Sequence, residues 1–319
     1  PLGIKDPCAA SLPIGGWRSS PVSSGQRVSE WRCGDSRGSD SSFPTSVAFD
    51  TQAGRVGSRT CADERIHRLC YPVSMRALVL AAGWATRLGA LAAGRPKHLL
   101  PVGETTPLDV VVDRLDAVAR VEIIDVITHD AFLAIFERWA AGRTTRARLR
   151  VWSNGTSRIE ERRGAVGDLQ YYLERSDCDT DLLVLGGDQL FDDSLETLAE
   201  ISTREPALAI YDVGAAERVS RLASVELDAK GCVHRMVEKD PDPSTTLAVP
   251  AIYGLPARLL GEVTRYLEAQ DRPDNLGYLA EWLVEHHRVR GVPLGGRWID
   301  VGSPDEYERA QREFGTEKS

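Results

Sequence analysis

Long apolar runs are what this 319-residue sequence most plainly lacks: no stretch approaches the roughly 18 consecutive apolar residues that span a bilayer, and no basic segment followed by an apolar one opens it. A membrane partner and a secretory leader are therefore not expected, and a cytoplasmic protein is. An excess of positive charge is missing too. Lys and Arg number 39 against 47 Asp and Glu, a net charge of −8, which speaks against nucleic acid and anionic membranes as partners, because both reward clustered basic side chains. An anionic small molecule would have to be caught by a few local charges. The six cysteines form no Cys-x-x-Cys pair, and four of them, Cys8, Cys33, Cys61 and Cys70, lie in the first 74 residues, so free thiols are expected rather than disulfides or zinc. The six histidines are scattered, and the adjacent His286 and His287 would point to different faces of a helix. No internal repeat is present.

What is present divides into two unlike segments. Residues 1–74 hold 13 Ser, 8 Gly and 6 Pro but only 13 Leu, Ile, Val and Phe together, too few to pack a core, which predicts disorder. Asp6, Glu30, Asp35, Asp40 and Asp50 interrupt any basic amphipathic targeting helix there. Met75 directly precedes the first strand pattern and is expected as the natural start. Nine basic and seven acidic residues fall before it, so the remainder carries a net charge of −10.

From Met75 onward, apolar runs alternate with helical periodicity. Strands are predicted over 76–81, 122–127, 148–152, 181–185 and 207–213, and helices over 108–118, 131–140, 166–174 and 194–201. Such alternation implies an α/β fold with a mostly parallel, doubly wound sheet, whose ligands bind at the carboxyl ends of the strands. Strands over 223–227, 233–238 and 248–253 then suggest a small antiparallel β lid.

The most specific stretch is residues 80–102, LAAGWATRLGALAAGRPKHLLPV, directly after a buried-type strand. A loop of this kind offers backbone N–H groups to a triphosphate, and Arg87 and Lys97 add the charge that the acidic remainder lacks. It is neither a Walker A loop, having no Gly-Lys-Ser/Thr, nor the dinucleotide Gly-x-Gly-x-x-Gly. The strand over 181–185 ends in Gly186-Gly187-Asp188-Gln189, a carboxylate on a tight turn at the sheet's carboxyl edge, where a hard cation could meet phosphates. A second acid, Asp300, lies 112 residues on in Trp298-Ile299-Asp300-Val301-Gly302-Ser303-Pro304.

In these motifs the sequence resembles the sugar-phosphate nucleotidyltransferase family, which shares L-A-x-G-x-G-T-R-L, then P-K-x-L-x-P-V, G-D-x, E-K-P and W-x-D-x-G-T/S-P. The resemblance covers roughly residues 75–312, followed by a tail over 313–319, and departs at Ala85, where the family has Gly. It implies a nucleotide-diphospho-sugar transferase type of Rossmann-like fold and condensation of an NTP with a sugar 1-phosphate, or a sugar-like cyclitol phosphate, to an NDP-sugar and pyrophosphate. Implied roles are catalysis for Arg87, Lys97 and Asp188, and Mg2+ binding for Asp188 and Asp300. Nucleotide contacts are implied for Ala81, Ala82, Gly83, Thr86, Asn154, Gly164 and Gly187. Asn154 and Gly164 stand in residues 152–169, WSNGTSRIEERRGAVGDL, which resemble a subgroup with R-x-G-A-x-x-D-L at this place; Thr156 and Asp168 are further candidates there. Glu238, Lys239, Tyr253 and Trp298 are implied sugar-phosphate contacts, although Asp240 separates Glu238-Lys239 from Pro241. Residues 273–283, PDNLGYLAEWL, resemble an element that shapes the sugar pocket. No β-helical domain is expected after residue 312, a bacterial source suits the Ala- and Arg-rich composition, and homo-oligomerisation stays open. Two alternatives remain at this stage: a glycosyltransferase of the related fold, against which Asp188-Gln189-Leu190 lacks Asp-x-Asp, and a catalytically silent regulatory paralogue.

Overall fold

A computed structural model describes residues 74–92, 94–270 and 274–315; the predicted disordered extension, its four cysteines and residues 316–319 of the tail lie outside the described residues. The chain runs β1 (Met75–Leu80), α1 (Pro107–Asp116), β2 (Val121–Thr128), α2 (Asp130–Ala141), β3 (Arg148–Ser153), α3 (Ala165–Arg175), β4 (Asp181–Gly186), β5 (Gln189–Phe191), α4 (Glu196–Ser202) and β6 (Ala207–Asp212). It continues through α5 (Ala216–Val219), β7 (Ala223–Leu227), β8 (Cys232–Glu238), β9 (Leu247–Val249), β10 (Ile252–Leu255), α6 (Glu262–Gln270), α7 (Leu276–His286), β11 (Val289–Pro293), β12 (Trp298–Asp300) and α8 (Pro304–Glu313).

Alternation along β1 decides which side each residue serves. Met75, Ala77 and Val79 pack on one face with Leu108, Val111 and Leu115 of α1, Phe136 of α2 and Leu198 of α4. Leu78 and Leu80 pack on the other with Val166 and Leu169 of α3, Val263 of α6 and Leu279 and Leu283 of α7. Helices therefore cover both faces, as expected of a doubly wound sheet. Local signals agree: α1 begins with Pro107 at its first position and a reciprocal Thr106–Asp109 capping box.

Ten strands form one sheet in the order β11-β8-β7-β9-β6-β10-β4-β1-β2-β3. Strands β4, β1, β2 and β3 are parallel, but β10 lies antiparallel between β4 and β6, and β7, β8 and β9 pair antiparallel beyond β6. The sheet is thus mixed rather than mostly parallel, and the expected lid strands continue it instead of forming a separate layer. The physical reason is local: the single predicted strand over 248–253 breaks at Pro250, whose missing N–H cannot serve a ladder, so its second half crosses to fill the slot beside β4. A separate two-stranded sheet pairs β5 with β12 antiparallel.

Gly254 in β10 marks a close approach of α4: a Cβ there would lie 1.6 Å from Ser202 Oγ and 2.6 Å from Ser202 Cβ, and Ser202 is fully buried. Gly254→Ala is expected to lower unfolding free energy by about 3 kcal/mol, the upper part of the usual overpacking range. Denaturant titration checks this, with Gly254→Ala plus Ser202→Gly recovering most of the loss.

Candidate active site

Strand β1 ends beneath a loop that the neighbouring strands hold from below. Ala81 N–H donates to Ile127 O, Thr128 Oγ1 donates to Ala81 O, and Gly187 N–H donates to Leu80 O. Ala85 takes φ 54° and ψ 28°, the left-handed conformation. That conformation costs a residue with a Cβ about 1 kcal/mol or more, which gives a physical reason for glycine at this place in relatives: here the backbone keeps a glycine's shape despite the methyl group. Gly83 leaves room for the Lys97 stem, since a Cβ on it would lie 3.3 Å from Lys97 Cε.

Lys97 extends from a 3-10 turn to form an ion pair with Asp188 Oδ2. Gln189 Nε2 donates to Asp188 Oδ1 at 3.0 Å, and Gln189 Oε1 accepts from Trp298 Nε1 at 2.8 Å. Trp298 thus orients Gln189, which orients Asp188. The β5–β12 ladder sets Asp300 opposite Gln189, and Val301 N–H donates to Asp188 O at 2.9 Å. Two acids 112 residues apart in sequence are thereby pinned side by side. Arg87 joins them: around the position of a Cβ on Gly302 stand Arg87 Nη2 at 3.0 Å, Glu306 Oε2 at 3.2 Å and Asp300 Oδ1 at 3.5 Å.

The electrostatics of this cluster are uneven. Burial alone would raise Asp188, but the Lys97 ammonium, with hydrogen bonds from Lys97 and Gln189, outweighs it and holds the carboxyl well below the usual range. Burial, reinforced by the negative charge of Asp188, pushes Asp300 up to about 7. Burial would lower Lys97, yet the two carboxylates raise it. His98, 1% exposed, is driven down to about 3 by burial and by Lys97, so it packs as a neutral ring beneath the loop.

Ala82, Gly83, Thr86, Arg87, Lys97, Asn154, Gly164, Asp188, Lys239 and Asp300 line a single cleft of about 600 Å³. Ala81 and Gly187 are buried by the contacts given above and do not line it. Tyr253 does not reach the wall, being buried in β10 near the Glu238 and Glu281 carboxylates, and Trp298 acts through Gln189 rather than from the wall. Glu238 is fixed behind Lys239: Asn275 Nδ2 donates to its Oε1, and a Cβ on Gly277 would lie 2.0 Å from its Oε2. Asn275 and Gly277 of the segment over 274–283 thus hold the Glu238 carboxylate in place. Lys239 itself has φ 55°, a second left-handed residue at the cleft, where backbone strain tends to concentrate at functional sites. The intervening Asp240 is a turn residue, buried and accepting from Ser224 Oγ and Asp242 N–H. Trp84, Arg162 and Arg163 also line the cleft; Trp84 stacks on buried His129 at 3.8 Å and 2°. Sequence reasoning passed over Trp84, because nothing in its neighbourhood marks His129 as a stacking partner.

Opposite the loop, Asn154 Nδ2 donates to Asp168 Oδ1 at 2.8 Å. Burial, partly offset by Asn154 and Arg163, raises Asp168 from 3.8 to about 6. A carboxyl whose folded value is raised adds stability that is present below pH 4 and lost as pH rises through 6. Asp168→Asn should therefore stabilise the fold at pH 8 by up to about 3 kcal/mol and hardly at all at pH 3.5, which thermal unfolding at the two pH values would show.

The model of the nucleotidyl transferase family matches residues 76–317. A bifunctional protein GlmU of Methanocaldococcus jannaschii is 26% identical over 242 residues, covering 75% of this chain and 54% of that protein. A putative mannose-1-phosphate guanyltransferase of Sulfolobus acidocaldarius is 28% identical over 251 residues, covering 76% of this chain and 64% of that protein. The chain thus spans about half to two thirds of these relatives. A putative glucose-1-phosphate thymidylyltransferase from Bacillus anthracis has the same fold, with a TM-score of 0.62 at 18% identity over 77% of this chain and 97% of that one.

Proposed function

The chain belongs to the nucleotidyl transferase family, and from that premise we propose that it joins an NTP to a sugar 1-phosphate, or a sugar-like cyclitol phosphate, releasing pyrophosphate. The observation that carries this reading is the convergence of Arg87 and Lys97 with Asp188 and Asp300 on one cleft beneath the first loop. A phosphate oxygen of the sugar phosphate attacks the α-phosphorus in line; the bond from that phosphorus to the β-phosphate oxygen breaks, and pyrophosphate departs. Such a transfer depends on positioning and charge neutralisation. Arg87 and Lys97 neutralise the leaving pyrophosphate, Lys239 holds the incoming phosphate, and the loop backbone from Ala82 to Thr86 receives the triphosphate.

The donor set fits Mg2+. Asp300 Oδ1 is buried with no hydrogen-bond partner among the described residues, and Asp188 stays ionised. Mg2+ commonly takes one or two carboxylates and completes its shell with phosphates and water. Asp188 and Asp300 would hold it, and it would supply further neutralisation of the phosphates.

Among the described residues no helix is long and apolar enough to cross a membrane; a cytoplasmic site suits soluble nucleotide substrates. Pyrophosphate release from five NTPs against a panel of sugar and cyclitol 1-phosphates tests the reading. Release that requires both substrates supports it; UDP or GDP freed from a nucleotide sugar instead would point to a glycosyltransferase, and nucleotide binding without any turnover to a silent paralogue.

A further inference from the structure

Strand β3 lies two places from β1 in the sheet, roughly 10 Å away at ordinary strand spacing. With phosphates over the loop after β1, a nucleotide lying across the strand ends brings its base to the residues just beyond β3. Those are Asn154 and Thr156, which are 2% and 3% exposed, and Asp168, 6% exposed in the first turn of α3. The orientation of Asn154 is fixed: its Oδ1 accepts from both Thr156 N–H at 3.0 Å and Thr156 Oγ1 at 2.8 Å, so its Nδ2 must face Asp168. Asp168 Oδ1 receives that single bond, and Oδ2 accepts none among the described residues. Arg163 is the charged group acting on this carboxylate, and its Nε donates to Asn154 O at 2.8 Å, so it braces the network. A buried carboxylate with spare acceptor capacity, clamped by a fixed amide on a cleft wall, is a site for a ligand that offers adjacent N–H donors.

We propose, resting on the nucleotidyl transfer reading above, that Asp168 is the residue that selects the base and that the base is guanine. Guanine presents N1–H and N2–H2 side by side, and a carboxylate accepts both. Uracil and thymine present one N–H between two carbonyls, which the carboxylate repels. Cytosine and adenine set their amino group beside an acceptor nitrogen, so one carboxylate oxygen meets a lone pair. Discrimination by a good bidentate pair is worth about 10- to 100-fold, and an unpaired buried carboxylate facing the wrong base adds to it.

The test is pyrophosphate release from GTP, ATP, CTP, UTP, dTTP and xanthosine triphosphate by the full chain and by Asp168→Asn. The wild-type chain is expected to prefer GTP. Asp168→Asn exchanges one acceptor for a donor, matching xanthine, which carries a carbonyl where guanine carries its 2-amino group. Its kcat/KM for GTP should fall about 10- to 100-fold while that for xanthosine triphosphate rises above the wild-type value. A wild-type preference for another base overturns the inference, even if the variant fails to fold. So does an equal fall for every nucleotide with no gain for xanthosine triphosphate, which marks a ribose or purely structural role. No release from any nucleotide with any sugar phosphate refutes the transfer reading itself, so the two failures are distinct.

Discussion

Asp188→Asn is expected to cut turnover at least about a hundredfold while leaving the fold intact. The kinetic loss is the scale of removing one preorganised electrostatic contact, here the carboxylate that carries most of the negative charge in the cluster. The fold survives for a reason visible in the same cluster. Removing Asp188 would strand the buried Lys97 ammonium, and a stranded buried charge commonly costs 3–5 kcal/mol; but Asp300 is raised in part by the Asp188 charge. With that charge gone, Asp300 ionises more readily and becomes the partner of Lys97. Circular dichroism and thermal unfolding of the variant should resemble the wild-type protein, and near-normal pyrophosphate release by a folded variant would remove Asp188 from the chemistry.

Lys97→Met has the opposite balance. It leaves two carboxylates facing each other in a buried place with no ammonium between them, and a loss of about 3–5 kcal/mol is expected in metal-free buffer. Turnover should also fall at least about a hundredfold, because the leaving pyrophosphate loses a cation that sits where the loop delivers it. Added Mg2+ should then raise the variant's melting temperature by more than it raises the wild-type value, since the divalent ion takes over the missing positive charge. Equal Mg2+ shifts in the two proteins would show that Lys97 and the cation do not share these carboxylates.

The parallel half of the fold and the cleft's main residues were legible in the sequence for definite reasons. Strands β1 and β4 are buried on both faces and read as nearly continuous apolar runs, while the loop from Gly83 to Lys97 and the turn at Asp188 carry residue types that few other local structures demand. What escaped was set by partners distant in sequence. Strands β5 and β12 are three residues each, too short for any periodicity, yet their pairing is what joins Asp188 to Asp300. Trp298 read as a substrate contact because only the folded chain shows Gln189 standing between it and Asp188. Ala85 read as a departure, and only the folded chain shows that it takes a left-handed backbone, the conformation that suits glycine. Asp125, in mid-strand, gave no sign of its buried network with Arg150, Trp152 and Tyr172.

Anomalous scattering from a crystal grown with Mn2+ and a non-hydrolysable NTP tests the convergence most directly. The ion is expected between Asp188 and Asp300, bonded to an oxygen of each and to the nucleotide's phosphates, with Arg87 and Lys97 on the remaining phosphate oxygens. An ion bound to the phosphates but remote from either carboxylate would contradict the account.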